Sequence, residues 1–337
     1  MKLAVVVPNW NGLNSIEVCL YSLDKQIAKC VIIVADNASS DGSVDLIKKK
    51  YPNVILVKNT KNLGFAGGVN SGIKKAMELK CDAVALFNND AVADKDWLKN
   101  LALVMSANKK AGLVTGKLMA GDSGKFDSTA EIYTIWGLPY PRGRGIKDNG
   151  QYDKPEEVFA GSGGASLYRV SMLKEIGLFD EDFFAYYEDV DIGFRAQLAG
   201  WKVVYEPSAV AYHQIGATSS KIKGFTTYQT MKNLQLLWYK NVPSKFMYKT
   251  GWRFFVAHTL FLFRAISRGQ AVSAIKGDLV GSWLLAKKRG ERKKIQASKK
   301  VSDDYIWSIM LHDLPPNAKA LRSIRSRRWK ITRRKRA

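Results

Sequence analysis

Residues Phe183–His213 read FFAYYEDVDIGFRAQLAGWKVVYEPSAVAYH. Three carboxylates, Glu188, Asp189 and Asp191, follow the aromatic run within four positions. Apolar residues then recur at helical spacing up to a glycine, which predicts a helix with the acidic residues in its first turn. The apolar run Val203–Tyr212 predicts a strand directly after that helix. A helix that leads into a buried strand is typical of an α/β fold.

The carboxylates at this helix start have two interpretations. Negative charge suits the positive end of a helix dipole, so these residues could simply be favourable surface charges. The aromatic residues before them indicate a partly desolvated wall, where a carboxylate can act as a general base. The stretch alone leaves the two interpretations about equal. A second polar cluster, Asn88-Asn89-Asp90, follows an apolar strand far upstream and favours the catalytic interpretation.

Strands and helices alternate through the first hundred residues. The predicted strands are continuous apolar runs, as expected for parallel strands buried on both faces, and they are Leu3–Pro8, Cys30–Ala35, Val54–Val57 and Ala83–Phe87. Helical spacing between them predicts an α/β fold with a doubly wound, mostly parallel sheet. Ligands of such sheets bind outside the carboxyl ends of the strands. The polar residues that follow the four strands in turn are Asn9, Asn11, Asp36, Asn62 and Asp90.

Two segments at these strand ends could contact a nucleotide, and each has a simpler interpretation. Residues 36–42, DNASSDG, suit a hydrogen-bonded turn about twice as often as a nucleotide site. Residues 62–70, NLGFAGGVN, form a glycine-rich turn into a helix, whose backbone N–H groups can approach an anion. The second segment matches neither the phosphate-binding P-loop nor the dinucleotide fingerprint. Taken alone, each segment is a weak signal.

Asp90 and His213 are the candidate metal ligands. A hard divalent cation on a diphosphate needs only one or two protein carboxylates, because phosphate oxygens and water complete its coordination. Asp90 alone could equally belong to an ordinary Asn/Asp turn, and a lone histidine is more often structural than a ligand. The position of His213 at a strand end, together with Asp90 and the acidic helix start, favours a metal site.

Taken in order, these segments resemble the family 2 inverting glycosyltransferases, which have the GT-A nucleotide-diphospho-sugar fold. Within that family the chain is most similar to the rhamnosyltransferase-like and galactofuranosyltransferase-like branch. The resemblance covers roughly residues 1–220. It is carried by the ordered series VVVPNWNG, DNASSDGS, NLGFAGGVNSG, FNND, GSGGASLYR and YYEDVDIGFRAQLAGW, closed by His213.

The resemblance implies a role for each matching residue in binding the donor. The nucleotide-sugar pocket would be lined by Pro8, Asn9, Asn11, Asp36, Asn62, Gly64, Asn70 and Asn89. Asp90 and His213 would hold a divalent Mg or Mn ion. The family usually has an acidic residue where this chain has Asn88. Asn88 keeps a carbonyl oxygen but loses a charge, so a weaker metal affinity is expected.

The resemblance also implies the chemistry and the acceptor. Asp189 would be the general base and Glu188 would position the acceptor, while the acceptor side would include Gly163, Gly164, Trp201 and Asp191. A sugar such as rhamnose or galactofuranose would pass from a dTDP- or UDP-linked donor to a hydroxyl of a lipid-linked or polysaccharide acceptor. The expected product is a bacterial cell-surface polysaccharide or glycolipid.

Charge divides the chain into two predicted regions. The net charge is +23, yet residues 1–220 carry 25 Lys/Arg and 25 Asp/Glu, whereas residues 221–337 carry 28 Lys/Arg and 5 Asp/Glu. The prediction is a neutral glycosyltransferase domain over 1–220 and a basic, helical region over 221–337. Three cysteines without metal-ligand spacing suit a reducing cytosol, and the first apolar run ends too early for a signal peptide.

The basic region has three alternative interpretations. It could be a solvated and partly disordered tail, at least over its last fifteen residues. It could bind nucleic acid through Lys, Arg and aromatic side chains, with the α/β body as a non-catalytic scaffold. It could lie on an anionic membrane through the amphipathic segments Phe225–Tyr239 and Gly251–Arg268. Lipid-linked acceptors favour the third alternative, so the expected location is cytoplasmic and peripheral, on the inner face of the cell membrane.

Overall fold

A computed structural model describes residues 1–213 and 222–316. Its strands are β1 Leu3–Asn9, β2 Cys30–Asp36, β3 Ile55–Lys58, β4 Ala83–Phe87, β5 Ala91–Ala93, β6 Ala111–Ala120, β7 Phe126–Ser128, β8 Glu131–Tyr133, β9 Pro139–Pro141, β10 Glu156–Glu157, β11 Ala165–Arg169 and β12 Lys202–His213. Its helices are α1 Leu13–Asp24, α2 Ser43–Lys50, α3 Gly64–Glu78, α4 Trp97–Ala107, α5 Val170–Ile176, α6 Glu188–Leu198, α7 Phe225–Asn241, α8 Met247–Ser267, α9 Ala271–Ala297 and α10 Asp303–Ile309.

The main sheet has the strand order β10-β12-β6-β11-β4-β1-β2-β3. Strand β1 lies parallel to both β2 and β4, β2 lies parallel to β3, and β6 lies parallel to β12. Strand β11 runs antiparallel between β4 and β6. The predicted α/β class with a mostly parallel sheet and a helical C-terminal region is therefore confirmed.

The apolar runs form central strands because both of their faces are buried. In β1, Val5 and Val7 join the cluster on one face of the sheet, whereas Ala4 and Val6 join the cluster on the other. Side chains alternate between the two faces of a strand, so a strand covered by helices on both faces must be apolar at every position. This is the physical reason why the strands could be located from the sequence.

The strand directions place the polar strand ends along one edge of the sheet. The parallel strands β1, β2, β4 and β12 end there, at Asn9, Asp36, Phe87 and His213. Because β11 is antiparallel and pairs Ala165 with Phe87, the residues that precede β11 lie at the same edge. We call this edge the strand-end edge.

The helices after residue 221 share a hydrophobic core with the α/β part. One buried cluster joins Phe194 of α6 to Leu236 and Leu237 of α7, and to Ile306 of α10. Helix α7 buries polar as well as apolar side chains, including Asn233. The expectation that Phe225–Tyr239 lies in a membrane interface is therefore wrong, because this helix is internal. The predicted boundary at residue 220 stays a prediction.

Within the described ranges, no helix combines the length and the apolar character needed to cross a membrane. The second predicted interface segment, Gly251–Arg268, corresponds to most of α8. The predicted disordered tail over the last fifteen residues lies outside the described part of the chain.

A buried ion-pair network connects α6, α7 and α9. The Lys240 Nζ lies 2.5 Å from Asp180 Oδ2, 3.1 Å from Asp191 Oδ1 and 2.9 Å from Glu291 Oε1, and its side chain is fully buried. Asp191 also accepts a hydrogen bond from Arg195 Nε at 2.9 Å. Burial alone would raise the pKa of Asp191, but the charges of Lys240 and Arg195 lower it. Asp191 therefore stays ionised in the interior.

Removal of the Lys240 ammonium should destabilise the fold strongly. We expect Lys240→Met to lower the free energy of unfolding by roughly 3–5 kcal/mol, because Asp180 and Asp191 would remain buried without their main counter-charge. Urea denaturation measures this change. Lys245→Met is the matched control, since Lys245 pairs with Asp304 on the surface and should matter little. Equal effects of the two variants would contradict the assigned role of Lys240.

Candidate active site

Side-chain hydrogen bonds centred on the Asn9 amide join the ends of β1, β2 and β4. Asn9 Nδ2 donates to Asp36 Oδ1 at 3.0 Å, and Asn9 Oδ1 accepts from Asn89 Nδ2 at 3.0 Å. A Cβ at Gly12 would lie 2.2 Å from Asn89 Nδ2, so only glycine leaves space for this contact. Pro8 lies next to Asn9 in β1, where it pairs with Ala35 of β2. The structure thus brings Pro8, Asn9, Asp36 and Asn89 together.

The loops after β1 and β2 are bonded to each other. Asn11, with a φ of +50°, donates its backbone N–H to Ser39 Oγ at 2.9 Å and accepts at Oδ1 from the Ser40 N–H at 2.9 Å. Asp36 is almost fully buried and accepts at Oδ2 from the Ser39 N–H at 3.1 Å. These bonds form a hydrogen-bonded turn over residues 36–42, as the simpler of the two interpretations predicted, and hold that turn against Asn11.

The glycine-rich segment begins α3 at the same edge. Asn62 Oδ1 accepts from the Gly64 N–H at 2.8 Å, and helix α3 starts at Gly64. A Cβ at Gly64 would lie 2.4 Å from the carbonyl oxygen of Phe184. Glycine therefore lets this turn approach the loop that precedes Glu188.

Asn70 is not brought to the strand-end edge as expected. Its side chain is buried in α3, where Nδ2 donates to the Phe179 carbonyl at 2.8 Å and Oδ1 accepts from the Phe179 N–H at 3.0 Å. Both ends of the amide are therefore used to hold the segment near Phe179. Asn70 has a structural role and does not line the nucleotide-sugar pocket, contrary to the expectation.

Asp90 and His213 meet at the strand-end edge although 123 positions separate them in the sequence. His213 Nε2 lies 3.1 Å from Asp90 Oδ1 and 3.1 Å from Asn88 Nδ2. The other ring nitrogen, Nδ1, lies 2.7 Å from Asp127 Oδ2. Burial by itself lowers the pKa of His213, but the hydrogen bonds to Asp127 and Asp90 outweigh burial and raise that pKa to about 9.

Sequence reasoning missed Asp127 and Arg144. Asp127 is buried in the three-residue strand β7 and fixes the orientation of the His213 ring. Arg144 is half exposed, and its Nη2 lies 2.8 Å from Asp127 Oδ1. Both residues come from the region 112–164, where strand and helix signals fade. A single Asp and a single Arg in irregular segments give no pattern that would have identified them.

Asp189 lies in the first turn of α6 and is held by two backbone groups. Its Oδ2 accepts from the Gly163 N–H at 2.9 Å, and its Oδ1 accepts from the Val190 N–H at 2.8 Å. A Cβ at Gly163 would lie 3.3 Å from Asp189 Cβ, so glycine permits this close approach. Burial raises the pKa of Asp189 and outweighs these hydrogen bonds. Asp189 as a whole residue is half-buried.

Two further acids lie beside Asp189. Glu188 is buried, and its Oε2 has no hydrogen-bond partner in the part of the chain that the structure describes. Burial, followed by the charge of Asp189, raises the pKa of Glu188 well above its usual range. Glu131 of β8 is also buried, and the same two causes raise its pKa. Sequence reasoning missed Glu131 for the same reason as Asp127.

The loop before α6 has an unusual backbone that α7 holds in place. Phe184, Tyr186 and Tyr187 have φ values of +63°, +72° and +70°, a left-handed region that costs energy for residues other than glycine. Asn233 Nδ2 of α7 lies 2.9, 2.8 and 2.8 Å from the carbonyl oxygens of Phe183, Ala185 and Tyr186. Helix α7 therefore fixes the loop that leads to Glu188 and Asp189, which sequence reasoning did not predict.

Two of the four residues expected on the acceptor side lie elsewhere. Gly163 and Gly164 are at the strand-end edge, where Gly164 accepts from the Asn88 N–H at 3.0 Å. Asp191 is instead fully buried in the ion pairs with Lys240 and Arg195. Trp201 lies just before the amino end of β12, at the opposite end of that strand from His213. The Trp201 Nε1 donates to Glu175 Oε2 at 3.1 Å.

A comparison with known families matches residues 4–177 to the glycosyl transferase family 2 model. The chain belongs to glycosyltransferase family 2. It is therefore a transferase enzyme. Asp189 and Asn233 lie beyond the matched residues, so the family match and the geometry around α6 are independent observations.

Two relatives of this family 2 glycosyltransferase are, by their names, a rhamnosyltransferase and a polysaccharide synthase. An N-acetylglucosaminyl-diphospho-decaprenol L-rhamnosyltransferase of Mycobacterium tuberculosis is 32% identical over 201 residues, which cover 54% of this chain and 66% of the relative. A poly-beta-1,6-N-acetyl-D-glucosamine synthase of Staphylococcus aureus is 28% identical over 217 residues, which cover 62% and 49%. The chain thus spans just under two thirds of the first relative's length and about half of the second's.

Solved structures establish the fold of this family 2 glycosyltransferase as GT-A, as predicted. Residues 1–349 of S. aureus TarS in complex with UDP-GlcNAc superpose with a TM-score of 0.53 at 17% identity, covering 94% of each chain. A mannosyltransferase of Pyrobaculum calidifontis in complex with GDP-Man and Mn²⁺ gives a TM-score of 0.52 at 16% identity, covering 88% of this chain and 84% of the other.

The Asn233 amide should control the order of the loop before α6. We expect Asn233→Ala to lower the free energy of unfolding by roughly 1–3 kcal/mol, because three carbonyl groups would lose their buried donor. Hydrogen–deuterium exchange should become faster over residues 183–189, and this exchange is the decisive measurement.

Gln235→Ala provides the matched control for Asn233→Ala. Gln235 is also a buried amide of α7, but its Nε2 donates to Asp278 of α9 at 2.9 Å. Exchange over 183–189 should stay at the wild-type rate in this control. Unchanged exchange in Asn233→Ala would show that the loop keeps its backbone without the amide.

Proposed function

We propose that the enzyme transfers a sugar from a nucleotide-diphosphate donor to an acceptor hydroxyl with inversion, and that Asp189 is the general base. The observation that carries this proposal is the half-buried Asp189, whose carboxylate has a raised pKa and is held against the Gly163 N–H at the strand-end edge. The family membership supplies the reaction class. The polar residues that follow β1, β2 and β4 would receive the nucleotide.

The two backbone hydrogen bonds would let Asp189 act in one orientation. As the acceptor oxygen forms its bond to the anomeric carbon and the bond to the diphosphate breaks, the hydroxyl proton would pass to the Asp189 carboxylate. A raised pKa makes this carboxylate a stronger base than an exposed aspartate. A single displacement inverts the anomeric centre and needs no nucleophilic carboxylate, unlike retaining glycoside hydrolysis.

Glu188 would orient the acceptor. Its pKa is raised well above the usual range, so it holds a proton at a higher pH than an ordinary glutamate does. A protonated carboxyl can donate a hydrogen bond to an acceptor oxygen without adding a second negative charge beside Asp189. The two neighbouring acids would thus have different roles because their environments differ: Asp189 would accept a proton and Glu188 would donate a hydrogen bond.

Asp90 and His213 fit a divalent Mg or Mn ion that is shared with the donor. Their Oδ1 and Nε2 atoms lie 3.1 Å apart, and Asp127 binds the other ring nitrogen as a supporting carboxylate does in metal sites. In residues 1–213 and 222–316, no group of three or more His, Cys, Asp or Glu side chains is placed to hold a metal. Two protein ligands suffice if diphosphate oxygens and water complete the coordination. When bound, the ion would neutralise charge on the departing diphosphate.

The donor would be dTDP- or UDP-linked rhamnose, galactofuranose or a similar sugar. The acceptor would be lipid-linked or a polysaccharide, as the names of the rhamnosyltransferase and synthase relatives support. The enzyme would work from the cytoplasm, as a peripheral protein on the inner membrane face. The nucleic-acid-binding alternative has less support. If the α/β body were only a scaffold, nothing would require Asp90 and Asp189 to lie together at the strand-end edge.

Calorimetric titration of UDP and of dTDP, each with and without Mn²⁺, tests donor and metal together. We expect one nucleotide to bind and Mn²⁺ to strengthen its binding. Asp90→Ala should weaken binding with Mn²⁺ much more than binding without it, because it removes one of two protein ligands. Absence of binding under all four conditions, with a demonstrably folded sample, would contradict the proposed transferase site.

Replacement of the Asp189 carboxylate tests the base. We expect Asp189→Asn to reduce kcat by about 10²–10⁴-fold and to leave nucleotide affinity unchanged. The base must be deprotonated, so wild-type kcat should fall as pH decreases through the raised pKa of Asp189, at a higher pH than for an ordinary aspartate. Asp45→Asn, on the exposed surface of α2, is the control. If Asp189→Asn kept the kcat of the wild type, Asp189 would not be the general base.

A further inference from the structure

Helices α8 and α9 each expose a stripe of large apolar side chains. The α8 stripe is Tyr248, Trp252, Phe255, Phe263 and Ile266, and the α9 stripe is Val272, Ile275, Leu279 and Trp283. Spacings of three, four or eight residues place each set on one face of its helix. The exposed fractions reach 88% for Tyr248 and 82% for Val272. Exposed apolar surface on this scale marks an interaction site in a soluble domain.

The stripes belong to a rigid part of the molecule. The opposite faces of the two helices are buried, at Phe254 and Ala257 in α8 and at Ala274 in α9. His258 Nε2 of α8 lies 2.8 Å from Asp278 Oδ1 of α9, and Gln235 of α7 donates to the same residue. The outer faces are therefore held in a fixed orientation by contacts on the inner faces.

The charges around the stripes have one sign. Residues 247–297 contain eleven Lys/Arg and two acidic residues, Asp278 and Glu291. Both acids already have basic partners: Asp278 Oδ1 lies 2.8 Å from His258 Nε2, and Glu291 Oε1 lies 2.9 Å from Lys240 Nζ. The outer surface of the two helices therefore combines apolar side chains with unopposed positive charge.

Cations accompany the stripe residues at fixed positions. Those that directly follow a stripe residue in sequence are Lys249, Arg253, Arg264 and Lys276. The Lys287 Nζ lies 3.8 Å from the centre of the Trp283 ring. Apolar faces with flanking Lys and Arg, and with Trp at the boundary, are the composition that anionic bilayer surfaces bind.

We infer that the outer faces of α8 and α9 together form the surface that docks the enzyme on an anionic lipid bilayer. A second copy of this chain is a poorer occupant, because a symmetric contact would bring two surfaces of the same charge together. Docking on a bilayer would bring the enzyme to a lipid-linked acceptor. Only this purpose of docking rests on the proposed function. The inference keeps α8, which contains the expected interface segment Gly251–Arg268, and replaces the internal α7 with α9 as the second membrane-facing helix.

Flotation of the full chain with vesicles tests the inference. We expect binding to phosphatidylcholine vesicles that contain phosphatidylglycerol, weaker binding to pure phosphatidylcholine, and loss of binding as salt rises. The double variants Phe255→Ser/Phe263→Ser and Leu279→Ser/Trp283→Ser should each reduce partitioning by about tenfold or more, because each removes two apolar side chains from the lipid contact. The basic terminus is kept in all variants, so its attraction is constant.

The matched control is Tyr21→Ser/Leu103→Ser, which removes two side chains that are each 59% exposed on other helices. It should bind vesicles like the wild type. Wild-type partitioning by both stripe variants would overturn the inference, as would an equal loss in the control. Self-association of the wild type that the stripe variants abolish, without vesicle binding, would overturn it in favour of a second copy.

Asp189→Asn separates docking from catalysis. This variant should float with anionic vesicles like the wild type, because Asp189 lies in α6 and not on the docking surface. For the wild type, vesicle binding without any sugar transfer would count against the proposed function alone. Transfer activity without vesicle binding would count against the docking surface alone.

Discussion

The buried Lys240 ammonium is the contact on which the arrangement of the active site depends. It joins Asp180, which lies before the strained loop, Asp191 of α6 and Glu291 of α9. A buried charge is tolerated only with its partners in place, so these three elements can pack in one arrangement. That arrangement puts α7 against the loop before α6 and thereby sets the position of Asp189. The position of the Asp189 carboxylate at the strand-end edge is in this sense fixed by contacts on the opposite side of α6.

Much of the fold follows from local pattern, and so does the location of the site. Central parallel strands must be apolar on both faces, which made β1, β2 and β4 visible as runs of apolar residues. Parallel strands bring their carboxyl ends to one edge, so Asn9, Asp36 and Asp90 could be placed together without knowledge of any side-chain contact. His213 met Asp90 for the same reason, because β12 is parallel to β6 and ends at that edge.

The remaining site residues depend on contacts that a local pattern does not encode. The sequence around Asp191, in the first turn of a helix, would be the same whether the side chain faced solvent or a lysine from another helix. Only the structure shows that it is buried in an ion pair with Lys240. Helix α7 resembles an amphipathic surface helix because its polar residues are numerous, yet Asn233 is buried with partners. Asp127 and Glu131 lie in three-residue strands that carry no periodic signal. Their roles arise only from tertiary packing.

The contact between Asn233 and the loop before α6 also bears on the order of events during synthesis. Chains emerge from the ribosome with the amino terminus first, and units fold as they become available. The sheet and Asp189 are complete before α7 has been made, but the left-handed loop lacks its amide donor until Asn233 has emerged. A nascent chain would therefore have a complete strand-end edge while the loop that leads to Asp189, the proposed base, was still unsupported. Competence for the proposed reaction would arrive late, together with the helices that we propose dock on the bilayer.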